Sequence, residues 1–153
     1  MRCGGERSPG GTSTLNKTLL DTDILSEIGK AVDPVVLRNA ATYLQAFGRY
    51  TISVVSVAEV IRGYQRKQSL RRLQAFVGSL ALIEVVPLEL LAAELAGRIG
   101  GELERIGQPI GLADTVIAAI ALQHGLDLAT GNTAHFLRVQ QLGYPLTLVN
   151  WRD

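Results

Sequence analysis

The chain has 153 residues, 47% of them hydrophobic, a formal net charge of +1 and one cysteine. That length favours one domain with a core that needs no disulfide, and the lone Cys3 excludes an internal one, which fits a reducing, cytoplasmic setting. Every apolar run stops well short of the ~20 residues a bilayer span needs, so no membrane association is expected.

Residues 1–17 differ from the rest: they are rich in Gly, Ser, Thr and Arg and lack the apolar stretch of a secretory signal. They read as a disordered tail, or a start site set too early, ahead of a single domain over 18–153. Arg2, Arg7 and Lys17 against Glu6 give this tail +2, which leaves −1 on the body. A body of that charge is not a generic polyanion binder, so any nucleic-acid contact must be local.

Taken in order, residues 15–20 form a short apolar strand that stops at Asp21-Thr22-Asp23. Ile24, Leu25 and Ile28 then show helical spacing, closed by Gly29, and Pro34 marks the first turn of a second helix that Gly48 stops. The β-branched run 51–55 reads as a buried strand, and Ser56 opens a helix to about residue 67, followed by another over 69–79. A third strand over 82–86 ends at Pro87, and a long helix covers 88–106. After a loop at 107–111 come an apolar helix (112–124), a strand (126–130), a short helix (133–141) and a fifth strand (146–149). Short, nearly continuous apolar strands alternating with helices indicate an α/β fold whose parallel sheet is covered on both faces. Right-handed crossovers then gather all the strand carboxyl ends on one edge, where open α/β sheets bind ligands.

Three acids fall at informative places. Asp21 ends a strand of apolar neighbours; helix capping accounts for one polar residue of the triplet better than for three. Glu59 has two readings, since Ser56-Val57-Ala58-Glu59 matches a capping box, and only a helix starting beside Asp21 favours a site. Asp114 shares a helical stripe with Ile117, Ala118 and Ala121, in the first turn, where an acid also gains from the helix dipole. Three carboxylates ~4 Å apart repel by ~4 kcal/mol per pair at an effective dielectric of 20, which favours a bound cation if they converge. With all-oxygen ligands that cation is Mg²⁺, with Mn²⁺ as the alternative. Neither Lys nor Arg adjoins these acids in sequence.

After the fourth strand, Asn132 reads either as a neutral oxygen ligand or as a turn residue, and His135 as a metal or phosphate contact or as structural. Arg62, Arg66, Lys67, Arg71 and Arg72 form a run without acids that suits either a solvated helical face or a phosphate backbone. Tyr64 beside it reads as a base-stacking ring or as core.

In these motifs the chain resembles the PIN-domain ribonucleases, in particular the VapC-type toxins of toxin–antitoxin pairs. The resemblance runs over about 18–151 and rests on Leu-Leu-Asp-Thr-Asp-Ile-Leu-Ser at 19–26, Ser-Val-Ala-Glu at 56–59 and Pro-Ile-Gly-Leu-Ala-Asp-Thr-Val-Ile-Ala-Ala at 109–119. Ala-Thr-Gly-Asn-Thr-Ala-His-Phe at 129–136 and Leu-Val-Asn-Trp at 148–151 complete it. It implies a three-layer α/β/α fold around a five-stranded parallel sheet and Mg²⁺-dependent cleavage of RNA, tRNA among the targets. Asp21, Glu59 and Asp114 match the family's metal-site acids. Its fourth, often acidic, position falls in 132–135, where this chain has no carboxylate, so a single ion held by Asp21 and Asp114, with Glu59 acting through water, is expected and Asn132 orients a ligand or water. A cognate antitoxin and a homodimer are further implications. The competing readings are a non-catalytic PIN-like RNA- or protein-binding module, and a haloacid-dehalogenase-like phosphatase suggested by Asp21-Thr22-Asp23. The latter fold also wants a lysine on a later element, and Lys17, Lys30 and Lys67 all lie early.

Overall fold

The structure, a computed structural model, describes residues 15–153; for residues 1–14 the expected tail lies outside them. Five strands build the sheet: β1 (Thr18–Leu20), β2 (Thr51–Ser53), β3 (Glu84–Val86), β4 (Asp127–Ala129) and β5 (Leu148–Val149). All neighbours are parallel, in the order β3-β2-β1-β4-β5. The chain therefore leaves β1 to build one half of the sheet and returns to its other side through β4. The crevice between β1 and β4 is the topological switch point, the place where this architecture leaves room for a ligand.

Helices α1 (Thr22–Lys30), α2 (Pro34–Phe47) and α3 (Val54–Arg66) precede α4 (Leu70–Ser79), and α5 (Leu90–Arg105), α6 (Leu112–His124) and α7 (Thr133–Gln141) follow. Leu19 and Leu20, fully buried, point to opposite faces of the sheet, as strand periodicity requires. Leu19 joins a core with Ile99, Leu103, Ile117, Ile120 and Phe136 from α5, α6 and α7. Leu20 joins Ile24, Leu25, Tyr43, Ile52 and Trp151 on the α1–α2–α3 face. This is the three-layer α/β/α arrangement with a five-stranded parallel sheet. Helix α4 buries none of its residues and leans on α3, with Phe76 edge-on to Tyr64, ring centroids 6.5 Å apart. Tyr64, half-buried, therefore lies at the margin of this core.

Several element boundaries differ from expectation, each for a local reason. β1 begins at Thr18, later than the apolar pattern at Leu15, because pairing with β4 starts at Thr18 opposite Asp127. Helix α1 runs through Gly29 and stops at Ala31, which takes the left-handed conformation (φ 54°) and donates its N–H to Glu27 and Ile28 carbonyls. Helix α3 begins at Val54, so the β-branched pair Val54-Val55 belongs to a helix. Ser53 caps it, its hydroxyl accepting the Ser56 N–H at 3.1 Å. A 3₁₀ turn at Leu80–Leu82 shortens the third strand to Glu84–Val86.

Candidate active site

Asp21 follows β1 directly and is the N-cap of α1. Its Oδ1 accepts the Thr22 N–H at 2.8 Å, and only 5% of the residue is exposed. Because Leu20 sits opposite Ala129, the next residue on each strand, Asp21 and Thr130, meet across the switch point. The Asp21 N–H donates to the Ala129 carbonyl (2.8 Å), and the buried Thr130 hydroxyl donates to Asp21 Oδ2 (2.8 Å). Burial pushes the Asp21 carboxyl up to about 7, with the charges of Asp23 and Asp114 adding to the rise while the Thr130 and Thr22 hydrogen bonds oppose it. The protein thus holds a carboxylate whose ionisation the site resists.

Two arms extend from Asp21. On one side the Thr22 hydroxyl donates to Glu59 Oε1 (2.7 Å) and lies 3.0 Å from the buried Ser56 hydroxyl. Since Ser53 rather than Ser56 is the cap, Glu59 is not part of a capping box; its carboxylate is turned toward Thr22. On the other side the Thr130 hydroxyl accepts the Asn132 N–H at 2.9 Å. Asn132 Nδ2 lies 2.9 Å from His135 Nδ1, which is itself 2.8 Å from Asp114 Oδ2. A carboxylate only accepts, so Nδ1 carries its proton toward Asp114, and the Asn132 amide can meet the same Nδ1 only with its oxygen, the group turned about its axis. Asp21, Glu59, Asp114, Asn132 and His135 are therefore brought into one hydrogen-bonded array spanning the ends of β1 and β4 and the starts of α3, α6 and α7.

Arg62 and Arg66 are exposed on the later turns of α3 and Lys67, also exposed, is its C-cap; among the described residues no hydrogen bond joins their side chains to this array. Among the described residues none of them pairs with an acid. Residue spacing does not single out Thr130, whose only signal is a polar residue directly after an apolar strand, and it gives Thr22 little weight. Arg152 escapes it too: although no basic residue adjoins the acids in sequence, Arg152 reaches Asp23 from the far end of the chain, NH1 to Oδ2 3.5 Å.

Among the described residues no three His, Cys, Asp or Glu side chains close on one point. The donors nearest the switch point are carboxylate oxygens, and the one most resistant to ionisation is Asp21. That donor set fits a small hard cation bound through one or two carboxylates and otherwise by water, and does not fit a closed all-protein cage.

Comparison with known proteins bears on the family and the fold. The family model described as PIN domain matches residues 18–142. Ribonuclease VapC10 of Mycobacterium tuberculosis (strain ATCC 25618 / H37Rv) is 34% identical over 137 residues, 88% of this chain and 96% of that protein. The tRNA(fMet)-specific endonuclease VapC of Shigella flexneri is 38% identical over 93 residues, 60% of this chain and 70% of that protein. Among solved structures, DNA-bound VapBC from Salmonella typhimurium superposes with a TM-score of 0.72 at 28% identity, covering 90% of this chain and 99% of that one. Family match, relatives and fold converge on one assignment: the chain belongs to the PIN-domain family and, within it, to the VapC-type ribonuclease toxins of toxin–antitoxin systems.

Proposed function

We propose that this nuclease is a Mg²⁺-dependent endoribonuclease that cleaves structured RNA, tRNA being the first candidate, by attack of water on the phosphodiester. The observation that carries the reading is the buried Asp21 carboxyl, raised to about 7 by burial and by Asp23 and Asp114, at the switch point of the sheet. A carboxylate resisting ionisation beside another acid is relieved by a divalent cation. Asp21 and Asp114 would hold it, with Glu59 acting through water and Mn²⁺ as the alternative ion. When bound there, such a cation offsets charge on the scissile phosphate and lowers the pKa of a water.

The chain's own residues supply the rest. The Thr22 hydroxyl fixes Glu59 Oε1, so that this carboxylate orients the attacking water or takes its proton. Thr130 fixes Asp21 Oδ2, and His135 with Asn132 fixes Asp114 on the opposite wall. His135 Nε2 faces away from Asp114 and suits a phosphate or base contact. Exposed Arg62, Arg66 and Lys67 bind the RNA backbone beside a site whose acids alone would repel it. No serine nucleophile is needed: the hydroxyl nearest the acids on α3, Ser56, is fully buried.

The tRNA reading is supported by the name of the Shigella relative. A cognate antitoxin partner is supported by the likeness to a VapBC complex. We also expect a homodimer and a cytoplasmic location; no helix among the described residues is long and apolar enough to cross a membrane. The test is incubation of total RNA with purified protein in Mg²⁺ and in EDTA, with Asp21→Asn and Asp114→Asn in parallel. Discrete fragments lost in EDTA and in both variants support the reading. Intact RNA from folded, antitoxin-free protein contradicts it.

A further inference from the structure

The last residues of the chain return to the rim of the site. After β5, the Asp153 N–H donates to the Asn150 carbonyl (3.2 Å) and the Arg152 N–H to Asn150 Oδ1 (3.0 Å), closing a turn. Trp151 anchors that turn: it is buried, its ring centroid lies 5.6 Å from that of Tyr43, and its carbonyl accepts from Asn39 Nδ2 at 2.8 Å. From this fixed base the Arg152 guanidinium pairs with Glu27 Oε1 through Nε (2.5 Å) and through NH2, and places NH1 3.5 Å from Asp23 Oδ2. Asp23 Oδ2 also accepts the Gly131 N–H at 2.9 Å.

The fork lies directly over Gly131. A Cβ on that residue would coincide with the guanidinium and stand 2.8 Å from Asp23 Oδ2, so the arrangement requires glycine at this point. Gly131 in turn joins the two residues that steady the acids: Thr130, whose hydroxyl donates to Asp21, and Asn132, which lies against His135, the partner of Asp114. Glu27 Oε2 is buried without a hydrogen-bond partner among the described residues, so the Glu27 charge leans on Arg152.

We propose that Arg152 is a positioning residue for the nuclease reaction. It clamps Asp23 and Glu27 of α1 over Gly131 and thereby fixes residues 130–132, which orient Asp21 on one side and the His135–Asp114 pair on the other. This rests on the reading above that Asp21 and Asp114 carry the chemistry. The role needs a planar fork that spans two carboxylates at once, which the single ammonium of lysine on its flexible stem does not supply. Arg152 contacts neither Asp21 nor Asp114 in hydrogen-bonding range, so it acts through the loop.

The test compares Arg152→Gln, Arg152→Lys, Gly131→Ala and the Arg152→Gln/Gly131→Ala double variant of the full chain. Arg152→Gln lowers kcat for RNA cleavage by about tenfold or more, the size a small misplacement at a site produces, with KM for RNA and its salt dependence unchanged. Arg152→Lys recovers only part of that loss. Gly131→Ala displaces the fork and lowers kcat in the parent chain, and costs less once Arg152 is gone, when only the 2.8 Å approach to Asp23 Oδ2 remains. An activity-independent readout is the ring ¹H–¹⁵N NMR spectrum. With two histidines in the chain, His135 signals shift in Arg152→Gln while those of His124 stay.

Unchanged kcat and unchanged His135 signals in folded Arg152→Gln overturn the proposal. So does a loss confined to KM with a shallower salt dependence, which would make Arg152 a phosphate-binding residue. If Arg152→Gln does not fold, Arg152→Lys decides: full parental kcat overturns the fork, and reduced kcat with shifted His135 signals supports it. If the parent chain itself cleaves no RNA, the nuclease reading fails, and the His135 signals alone judge the clamp.

Discussion

Asp21→Asn should stabilise the metal-free protein while abolishing its activity. The Asp21 carboxyl titrates near 4 in an unfolded chain and is raised to about 7 in the fold, chiefly by burial and then by Asp23 and Asp114. A raised acid favours the folded state fully below about pH 4, and that contribution is lost as pH climbs through about 7. The rise of roughly three pK units corresponds to ~4 kcal/mol between the protonated and ionised forms. Asparagine keeps an oxygen for the Thr22 N–H and offers an amide to the Thr130 hydroxyl, which can turn to accept it, so it removes the charge at little cost in hydrogen bonds. At ~2–4 °C per kcal/mol for a chain of this size, the EDTA-treated variant should melt ~8–16 °C above the parent at pH 8 and level with it at pH 4. Added Mg²⁺ should raise the Tm of the parent at pH 8 and leave the variant unmoved. Calorimetry across pH 4–8 measures all of this. A variant less stable than the parent at pH 8, or a parent whose metal-free Tm is flat from pH 5 to 8, would show that the Asp21 charge does not destabilise the fold.

Other consequences follow from the same geometry. Glu59→Gln removes the group that handles the attacking water and should lower kcat by about 10²–10⁴-fold with RNA binding intact, read in single-turnover cleavage. Thr22→Val loses only the hydroxyl that steadies Glu59 and should lower kcat by about tenfold. Charge reversal of Arg62, Arg66 and Lys67 together should weaken RNA binding and flatten its salt dependence by about 0.7–0.9 in log–log slope for each phosphate no longer neutralised, with little change in cleavage at saturating RNA. Tyr43→Phe, far from the acids, removes the buried hydroxyl that bonds Thr18 and Thr51 and should cost about 1–3 kcal/mol of stability without changing kcat.

The layer order of this fold can be read in the sequence because its strands are short apolar runs buried on both faces, and such runs bounded by helix signals have few alternatives. Boundaries are less legible where one residue type serves two structures. Val54 and Val55 look like strand by their branched side chains, yet Ser53 supplies the cap and tertiary packing places them in α3. Gly29 looks like a helix stop, but α1 continues to a left-handed Ala31. The same ambiguity touches the site. Asp21 and Asp114 are visible because an acid beside a fully apolar stretch has little other business there. The role of Glu59 depends on which serine caps α3, and spacing alone points to the wrong one. Thr130 carries only the faint signal of a polar residue after an apolar strand, and Arg152 carries none: it meets Glu27 across 125 residues, a pairing that only the assembled sheet creates.

Whether carboxylates at the β1–β4 switch point direct water against an RNA phosphodiester in a divalent-cation-dependent reaction is read from the end groups of the cleaved RNA. Fragments made in Mg²⁺ should carry a linear phosphate on one side of the break and a free hydroxyl on the other, and should vanish in EDTA and with Asp21→Asn. Fragments ending in 2′,3′-cyclic phosphate would mean that the RNA's own 2′-hydroxyl is the nucleophile, and fragments formed equally well in EDTA that no divalent cation takes part; either result contradicts this mechanism.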